Sequence, residues 1–456
     1  MKANDLNNLR DDAIEIWTAG LDAVRAEPLV AREVQVVDDE LVIDEYRWSK
    51  QDFDRVVVIG AGKAGSAMAD GLMKSIGDWL PVVGWVNVPE GTQRNIQGIC
   101  THAARPAGVN EPTQEGVEGT LRIVELVANA GPRDLCIALI AGGGSALLPA
   151  PVDGITLEDK LEVTRFLSGA GAEITELNTV RKHLSKVKGG GLLRACKAGA
   201  LVTLVLSDVL GDPLDAIASG PTVPDTTKAA DALDVLKKFD PKNQLPDRVY
   251  ETLRGGDQLV DKNSACPSMT FVLGNNAVAV DEAGIRAEQL GYNHAMQSAR
   301  QSEGLAEEVG IHLAKMAIQM LRADPADHRM DCLITGGEPV VKLAPQETRG
   351  KGGRNQQLVL AAYQHLLSVG LSDAEWDRVC ILSAGTDGED GPTDAAGAWV
   401  DGEIHQRAQA LGIDLEDSLA RNDAYRYFEQ VEGLLKTGAT GTNVCDVRVV
   451  VARGPV

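Results

Sequence analysis

Residues 56–65 read VVVIGAGKAG, four apolar residues followed directly by a turn that is rich in glycine. A short apolar run without alternation predicts a strand that is buried on both faces, as the strands of parallel sheets are. The same succession of an apolar run, a glycine-rich or acidic turn and a helical segment recurs after residues 135–140, 201–206, 271–273, 332–335 and 379–382. It predicts an α/β protein whose ligand-binding loops follow the carboxyl ends of its strands.

The length of the chain and the composition between these strands indicate two domains. A chain of 456 residues is long enough for two or three domains. Residues 240–268 contain prolines, a glycine pair and many polar side chains, as a connection between two α/β units would. We therefore expect two α/β domains with largely parallel, Rossmann-like sheets, one over residues 1–260 and one over residues 261–456. An amphipathic helix is expected over residues 9–26, where apolar residues have helical spacing.

The charge balance excludes several classes of partner. The sequence has 44 Lys and Arg against 66 Asp and Glu, which gives a net charge of −22. A chain this acidic is a poor ligand for nucleic acid or for an anionic membrane surface, so we expect neither partner. The longest uncharged run, residues 135–152, is interrupted by glycines and prolines. It predicts a buried strand and turn rather than a membrane span.

The start of the sequence and its cysteines bear on location. The first residues mix charges and lack the apolar stretch of a signal peptide. The seven cysteines are scattered and none forms a Cys-x-x-Cys pair, which argues against a zinc or dithiol site. Such a set is typical of reduced thiols, and we expect a cytoplasmic protein.

The first glycine-rich turn allows two interpretations. Gly60, Gly62 and Gly65 match the G-x-G-x-x-G pattern of dinucleotide-binding turns. The ribose-binding acid of that pattern is missing from its usual place, since the nearest acid is Glu90, 25 residues after Gly65 and in a loop. Lys63 lies inside the turn, where a cation favours a highly charged anion or a phosphoryl group in transfer. A tight turn with a solvated lysine is the structural alternative.

A second glycine-rich turn and a basic segment predict further anion contacts. Consecutive glycines allow backbone N–H groups to converge on an anion, and a following serine adds a hydroxyl donor, as in Gly142, Gly143, Gly144 and Ser145. Residues 178–199, which we name the basic segment, hold six Lys and Arg and no acidic residue. Lys188 and Gly190 of this segment are expected to line an anion site. A close-packed turn and a solvated basic helix face are the alternatives.

Acidic side chains follow two of the predicted strands. Asp208 and Asp212 come soon after residues 201–206, and Asp387 lies in an acidic turn after residues 379–382. An acid at the end of a strand in an α/β sheet is a usual place for a general base or a magnesium ligand. Aspartates that cap helices or form turns would look the same in the sequence.

Two more glycine-rich turns follow in the second half of the chain. Gly337 and Glu338 come after residues 332–335, and residues 350–356, GKGGRNQ, open a helix with periodic apolar residues. Arg354 stands at the start of that helix. There its guanidinium would present a fork of donors to a phosphate or a carboxylate.

The turns and strands together resemble a known family, the class II glycerate kinases or glycerate 2-kinases with a MOFRL domain. The similarity rests on eight motifs in order: VIGAGKAG, IAGGGSALL, NTVRKHLSKVKGGGL, SDVLGDPLDAIASGPTVPD, ITGGEPVV, GKGGRNQ, SAGTDGEDGPTDAAGA and TGATGTNVCD. It implies two α/β domains with a cleft between them, ATP and Mg²⁺ as cofactors, and transfer of the γ-phosphoryl group to the 2-hydroxyl of D-glycerate. It also implies an active-site lysine, aspartate and arginine, which match Lys63, Asp208 and Arg354.

Residues and resemblance agree on phosphoryl transfer, which needs positioned cations, an acid near the accepting hydroxyl, and a metal ion. Lys63 and Arg354 are expected on the phosphates and Asp208 near the hydroxyl, with Mg²⁺ on one of Asp208, Asp212 and Asp387. The other residues expected to bind ATP are Gly60, Gly62, Gly65, Gly142, Gly143, Gly144, Ser145, Lys188, Gly190, Gly337 and Glu338. The expected partners are D-glycerate and ATP, and the sequence leaves self-association into a homo-oligomer open.

Two other functions stay open on the sequence. An NAD(P)H-dependent hydroxypyruvate reductase would place its cofactor on the first glycine-rich turn, and some members of the family carry that label. Lys63 in the turn and the missing ribose acid oppose it. A non-catalytic sugar-acid binding protein would bind its ligand without turnover and would not require Lys63.

Overall fold

A computed structural model describes residues 9–106, 109, 111–256, 266–324 and 330–454 of the chain. Their contacts divide the chain into two compact units. The first unit is Ala26–Leu273, and the second combines the residues before Ala26 with those from Gly274 onward. The boundary expected near residue 260 lies outside the described residues, and the contacts place the division between Leu273 and Gly274.

The helix expected near the start of the chain is confirmed as α1 (Leu9–Ala23), and it belongs to the second unit. Its apolar face, with Ile16 and Trp17, is buried in the same cluster as α11 (Asn276–Gln289). Gly20 permits a close approach, since a Cβ on Gly20 would lie 2.5 Å from the carbonyl oxygen of Ala279. Residues 9–25 therefore belong to the second unit and not to the domain expected over 1–260, because the buried face of α1 packs against α11, far along the chain.

A six-stranded sheet forms the centre of the first unit. Its strands are β4 (Arg55–Ala61), β5 (Val82–Pro89), β6 (Ile99–Arg105), β7 (Asp134–Ile140), β8 (Ala200–Leu206) and β9 (Ser268–Gly274). They lie in the order β6-β5-β4-β7-β8-β9, and the four pairings from β6 to β8 are parallel, as expected. The chain builds outward from β4 on one side and from β7 on the other. β4 and β7 are thus neighbours at the switch point of a doubly wound sheet, where such folds bind ligands.

Helices and a small antiparallel sheet surround these strands. The helices are α2 (Ala26–Glu33), α3 (Gly65–Ile76), α4 (Gln114–Ala128), α5 (Gly144–Leu147), α6 (Leu157–Gly169), α7 (Ile174–His183), α8 (Gly191–Ala195), α9 (Ala229–Phe239) and α10 (Asp247–Gly255). The small sheet has β1 (Val34–Val37), β2 (Glu40–Ile43) and β3 (Tyr46–Ser49). Short 3₁₀ turns cover Lys50–Asp52 and Ile217–Ser219.

Alternate residues of β4 pack into different cores. Val56 and Val58 belong to one buried cluster, whereas Val57 and Ile59 belong to another. The strand is therefore apolar on both faces, which is the physical reason for the run without alternation in the sequence.

In the described part of the chain, no helix has the length and the apolar character that crossing a bilayer requires.

The second unit contains a mixed six-stranded sheet. Its strands are β10 (His294–Ser298), β11 (Cys332–Gly337), β12 (Val379–Gly385), β13 (Gly397–Asp401), β14 (Leu434–Leu435) and β15 (Asp446–Ala452), in the order β10-β11-β15-β12-β13-β14. β10 and β11 pair in parallel, and the other pairings are antiparallel. This sheet differs from the largely parallel one expected, because the C-terminal strand β15 inserts between β11 and β12 and runs against both.

The remaining helices of the second unit are α12 (Ala306–Leu321), α13 (Arg354–Val369), α14 (Asp373–Trp376), α15 (Gly402–Leu411), α16 (Leu415–Ala420) and α17 (Ala424–Gln430). The antiparallel register brings the start of β15 to the ends of its neighbours. Asp446 lies opposite both Gly337 at the end of β11 and Gly385 at the end of β12. The glycine-rich and acidic turns after these two strands therefore meet at one edge of the sheet.

Candidate functional site

The two glycine-rich turns of the first unit are hydrogen-bonded to each other at the switch point of the sheet. The N–H of Lys63 donates to the carbonyl of Gly142 over 2.9 Å, and the N–H of Ala141 donates to the carbonyl of Ala61 over 3.1 Å. The turn after β4 thus lies directly beside the turn after β7. The structure thus brings Lys63 beside Gly142 and Gly143, which were separate predictions in the sequence.

Close packing explains the glycines of the first turn. A Cβ on Gly60 would lie 2.5 Å from the carbonyl oxygen of Leu139, and one on Gly62 would lie 2.6 Å from the Cβ of Ala141. A Cβ on Gly65 would lie 2.9 Å from a methyl group of Val86, where α3 crosses β5. These glycines therefore permit the contact of β4 with β7 and of α3 with the sheet.

The side chains of Lys63 and Arg105 flank Gly143. Gly143 has a φ of +75°, and a Cβ there would lie 3.3 Å from Nη2 of Arg105 and 3.5 Å from Cγ of Lys63. Arg105 ends β6 and is buried. Sequence reasoning missed it, because it is a single arginine in a segment without a glycine-rich turn. The second glycine-rich turn is thus bordered by the guanidinium of Arg105 and by the apolar stem of Lys63.

Ser145 is the centre of a polar cluster formed with the basic segment. Its Oγ accepts hydrogen bonds from Nζ of Lys188 and Nη2 of Arg181, both over 2.7 Å, and lies 3.1 Å from Oγ of Ser219. Ser219 and Arg181 both donate to Oδ1 of Asn178, over 3.3 Å each. The cluster joins the turn after β7 to α7 and to the 3₁₀ turn at Ile217–Ser219. Arg181, Asn178 and Ser219 were not among the predicted site residues.

Burial disfavours the positive charges of this cluster. Lys188 is 2% exposed, and burial lowers its pKa well below the usual value, with a further contribution from the charges of Arg181 and Lys160. Burial also lowers the pKa of Arg181. The ammonium of Lys160 donates to the carbonyl of Leu184, and burial together with the charge of Arg181 lowers its pKa to about 7. The basic segment is therefore largely a buried structure, not a solvated helix face.

Gly190 has a packing role in the same segment. Its φ is +75°, its N–H donates to the carbonyl of Gly220 over 2.7 Å, and a Cβ would lie 2.8 Å from the carbonyl oxygen of Val223. The chain before α8 thus lies against residues 220–223. A larger residue here would separate the two segments.

The predicted acids of the first unit follow β8, next to β7 in the sheet. Asp208 and Asp212 are both half-buried, and Asp212 adopts a φ of +54° in the turn. Asp215, further on, is an ion-pair partner of Lys182. Among the described residues, no three His, Cys, Asp or Glu side chains group closely enough to bind a metal ion by themselves. An ion held by one or two of these carboxylates would need further oxygen ligands, such as the phosphates of a nucleotide.

Arg354 in the second unit is held by carboxylates. Its Nε and Nη2 donate to the two carboxylate oxygens of Asp446, over 2.7 and 2.9 Å, and its Nη1 lies 2.9 Å from Oε1 of Glu338. Burial lowers the pKa of Arg354, but Asp446 and Glu338 outweigh it and the pKa is raised. The fork of donors expected for a phosphate is therefore partly occupied, and the two carboxylates more than offset its single positive charge.

A buried aspartate caps the helix that Arg354 begins. Asp390 accepts hydrogen bonds from the N–H groups of Asn355 and Gln356, over 3.0 and 2.8 Å. Burial raises the pKa of Asp390 to about 7, although these two N–H groups favour its charged form. Gly353 permits the approach, since a Cβ there would lie 2.3 Å from the Asp390 carboxylate. This cap explains why a glycine stands directly before Arg354.

The other predicted residues of the second unit lie at the same edge of its sheet. A Cβ on Gly337 would overlap the carboxylate of Glu303, which is paired with Arg448. A Cβ on Gly385 would lie 3.1 Å from Oδ1 of Asp387 and 3.5 Å from Oδ1 of Asp446. Gly337 thus serves packing, whereas Asp387 is near the Arg354–Asp446 pair. Asp446 lies inside the motif TGATGTNVCD, which was the signal in the sequence that could have found it.

Comparison with known proteins places these features in a family. Residues 12–254 match a family model described as a domain of unknown function, DUF4147, and residues 331–446 match the MOFRL family. The chain is 35% identical to a glycerate kinase of Bos taurus, over 96% of this chain and 92% of that protein. It is 33% identical to a glycerate 2-kinase of Pyrococcus horikoshii, over 97% of each.

Two solved structures have the same fold. A crystal structure of a glycerate kinase from Thermotoga maritima matches with a TM-score of 0.82 and 34% identity, over 97% of this chain and 99% of that one. A crystal structure of a Pyrococcus horikoshii protein matches with a TM-score of 0.81 and 32% identity, over the whole of both chains.

Proposed function

The chain belongs to the glycerate kinase family with a MOFRL domain, and on that premise we propose that it transfers the γ-phosphoryl group of ATP to the 2-hydroxyl of D-glycerate. The products are ADP and 2-phosphoglycerate. The observation in the structure that carries the proposal is the meeting of Lys63, Arg105 and the Ser145 cluster around one glycine-rich turn at the switch point of the sheet. Phosphoryl transfer is mainly a matter of positioning and charge neutralisation, and this is an arrangement of that kind.

Lys63 is proposed to contact the transferring phosphoryl group. Its stem is fixed beside Gly143, and its backbone is fixed by the hydrogen bond to Gly142. A lysine held in this way presents positive charge without reorganisation when negative charge develops on the phosphoryl oxygens.

Asp208 is proposed to accept the proton of the 2-hydroxyl group as its oxygen forms the new bond to phosphorus. Its place at the end of β8, one strand from the turn that bears Ser145, supports this role. One of Asp208, Asp212 and Asp387 is proposed to hold Mg²⁺, which when bound neutralises charge on the phosphates. Carboxylate oxygens are suitable ligands for this ion, which usually binds through one or two carboxylates and the substrate phosphates.

Arg354 is proposed to contact phosphate through the N–H groups that Asp446 and Glu338 do not use. Because two carboxylates already more than offset its positive charge, its contribution is directed hydrogen bonding rather than net positive charge. Asp446 is then a positioning residue, which fixes the plane of the guanidinium.

The reductase alternative is opposed by the hydrogen bonds of the first glycine-rich turn. The N–H groups of Gly62, Lys63 and Gly65 donate to the carbonyls of Asn87, Gly142 and Gly62. A dinucleotide-binding turn uses such N–H groups for the pyrophosphate, and here they are engaged by the protein. We further propose a cytoplasmic location, on the scattered cysteines, with D-glycerate and ATP as the partners.

The ³¹P NMR spectrum of the product tests activity and regiochemistry together. The protein is incubated with D-glycerate, ATP and Mg²⁺, and separately with hydroxypyruvate and NADH. We expect ADP and the resonance of 2-phosphoglycerate in the first reaction and no NADH oxidation in the second. A 3-phosphoglycerate product would contradict the regiochemistry, and NADH oxidation without ADP formation would contradict the kinase. Binding of D-glycerate without turnover would favour the sugar-acid binding protein.

A further inference from the structure

Two basic side chains, one buried and one half-buried, converge on one neutral hydroxyl group in the first unit. Nη2 of Arg181 and Nζ of Lys188 each lie 2.7 Å from Oγ of Ser145. Lys188 is buried and Arg181 is half-buried. Over the ranges that the structure describes, neither side chain forms a salt bridge with a carboxylate. A buried charge without a counter-ion is costly, so a fold that places two basic groups together in this way favours an anion that is not part of the chain.

The same segment contains a buried lysine that the protein does neutralise. Lys182 is 6% exposed, and its Nζ lies 3.2 Å from a carboxylate oxygen of Asp215 and 3.4 Å from one of Asp225. The fold therefore supplies counter-ions to a buried cation of the basic segment a few residues away. The surroundings of Lys188 and Arg181 differ from those of Lys182 because no carboxylate of the described residues pairs with them, and a ligand anion would supply one.

We propose that Ser145, Arg181 and Lys188 form the receptor for the carboxylate of the acid substrate, an inference that rests on the proposed function. Arg181 is fixed by its hydrogen bonds to Asn178 and Ser145, which use two of its five N–H groups. The remaining N–H groups suit the two oxygens of a carboxylate. Lys188 donates to both the hydroxyl and the carbonyl oxygen of Ser145. It is therefore a positioning residue, which holds the Ser145 hydroxyl in place.

The location of the receptor agrees with transfer to the 2-hydroxyl. Ser145 is only two residues after Gly143, where an added Cβ would lie 3.5 Å from Cγ of Lys63. In D-glycerate the 2-hydroxyl is on the carbon bonded to the carboxylate, whereas the 3-hydroxyl is one carbon further away. A carboxylate held at Ser145 and Arg181 therefore keeps the 2-hydroxyl close to the turn that bears Lys63.

Nucleotide phosphate is the other anion that such a cluster could bind, and separate titrations distinguish the two. We compare the full chain with Arg181→Gln, Arg181→Lys and Lys188→Met, and with Lys186→Gln as the matched control. Lys186 belongs to the same segment but is exposed, and it pairs with Asp153 at the surface over 2.7 Å. The melting temperature is measured without ligand, with D-glycerate alone and with ATP alone, and KM is measured for both substrates.

We expect Arg181→Gln and Lys188→Met to lose the rise in melting temperature that D-glycerate causes and to raise KM for D-glycerate roughly 10- to 100-fold, from the loss of charged hydrogen bonds. The effect of ATP on the melting temperature and KM for ATP should not change. Arg181→Lys should lie between, and Lys186→Gln should match the unmodified chain. Lys188→Met should melt no lower than the unmodified chain without ligand, because it removes a buried charge, so a folded variant is available.

Unchanged D-glycerate binding in both Arg181→Gln and Lys188→Met would overturn the proposal. Loss of the ATP effect in place of the D-glycerate effect would assign the cluster to nucleotide phosphate and would also overturn it. A protein that does not phosphorylate D-glycerate would contradict the proposed function alone. The receptor is then tested by lactate and hydroxypyruvate against glycerol, which has no carboxylate. It stands if the acids stabilise the unmodified chain but not Arg181→Gln, and it falls otherwise.

Discussion

Replacing Gly143 by alanine tests whether the glycine-rich turn after β7 positions the cations beside it. Gly143 has a φ of +75°, so alanine there adopts the left-handed region at a cost of about 1–2 kcal/mol. The new Cβ would also lie 3.3 Å from Nη2 of Arg105 and 3.5 Å from Cγ of Lys63. The second contact is ordinary, whereas the first is tight and moves the guanidinium by a few tenths of an ångström.

Gly171→Ala is the matched control for the backbone term. Gly171 lies in the same unit with a φ of +82°, and a Cβ there would have no heavy atom within 4 Å. Both variants should therefore lower the melting temperature by a similar amount, roughly 2–8 °C for a unit of this size. Only Gly143→Ala should lower kcat, by about tenfold, because misplacement of a catalytic group by even 1 Å costs about 100-fold.

The assay is ADP release with D-glycerate at saturating ATP and Mg²⁺, together with thermal unfolding of both variants. Equal kcat values for the two variants would refute the reasoning that Gly143 sets the position of Arg105 and Lys63. A much larger loss of melting temperature in Gly143→Ala than in Gly171→Ala would mean that steric overlap, not backbone conformation, dominates.

Three further outcomes are expected. Lys63→Met keeps the apolar stem beside the turn but removes the ammonium, so kcat should fall by about 100-fold or more while the melting temperature hardly moves; a normal kcat would contradict its role. Asp446→Asn removes the charge of a fully buried partner of Arg354. It should lower the free energy of unfolding in urea by about 1–3 kcal/mol and also lower kcat. Unchanged stability and unchanged kcat would show that Arg354 does not need Asp446 to hold it in place. Lys160 has a pKa lowered to about 7 from 10.5, so it binds more protons unfolded than folded, and its contribution to stability should increase from pH 7 to 10. Lys160→Met should therefore be more stable than the unmodified chain at pH 7, with a difference in melting temperature that shrinks by pH 10, and a constant difference would contradict the assignment.

The central strands could be predicted because their neighbours bury both faces. Residues 135–140 and 201–206 were expected as strands, and they are confirmed within β7 and β8. The same burial on both faces gives no information about whether a strand pairs parallel or antiparallel with its neighbours. β15 is buried at every residue, so its sequence looks like that of a parallel strand although it runs antiparallel to β11 and β12. Burial on both faces is thus readable in a sequence, whereas the direction of the pairing is set by the connection between strands.

The candidate site was predictable where a local backbone feature marks it. Glycine-rich turns after strands mark the turns that bear Lys63 and Ser145. Their partners are single polar residues brought in from elsewhere, such as Arg105 at the end of β6 and Ser219 in a 3₁₀ turn, 74 residues from Ser145. No local pattern identifies such residues, because their role depends on how the sheet aligns segments that are distant in sequence.

The basic segment shows why an acidic protein can still be suited to a small anion. The long-range field of a chain with a net charge of −22 opposes anions, but water and salt screen exposed charges beyond about 10 Å. Charges that are taken out of water are screened much less, so Lys188 and Arg181, when protonated, would act on an anion at Ser145 with little attenuation. The energetic cost of removing these charged groups from water is visible in their lowered pKa values.

An adjacent carboxylate would raise the pKa of Lys188, whereas the charges of Arg181 and Lys160 lower it. At a pH above the lowered pKa of Lys188, binding of D-glycerate should therefore be accompanied by proton uptake, and its affinity should fall as the pH rises. Titration calorimetry in buffers of different ionisation enthalpy measures that uptake, and Lys188→Met should abolish it. An uptake that persists in Lys188→Met would place the responsible group elsewhere.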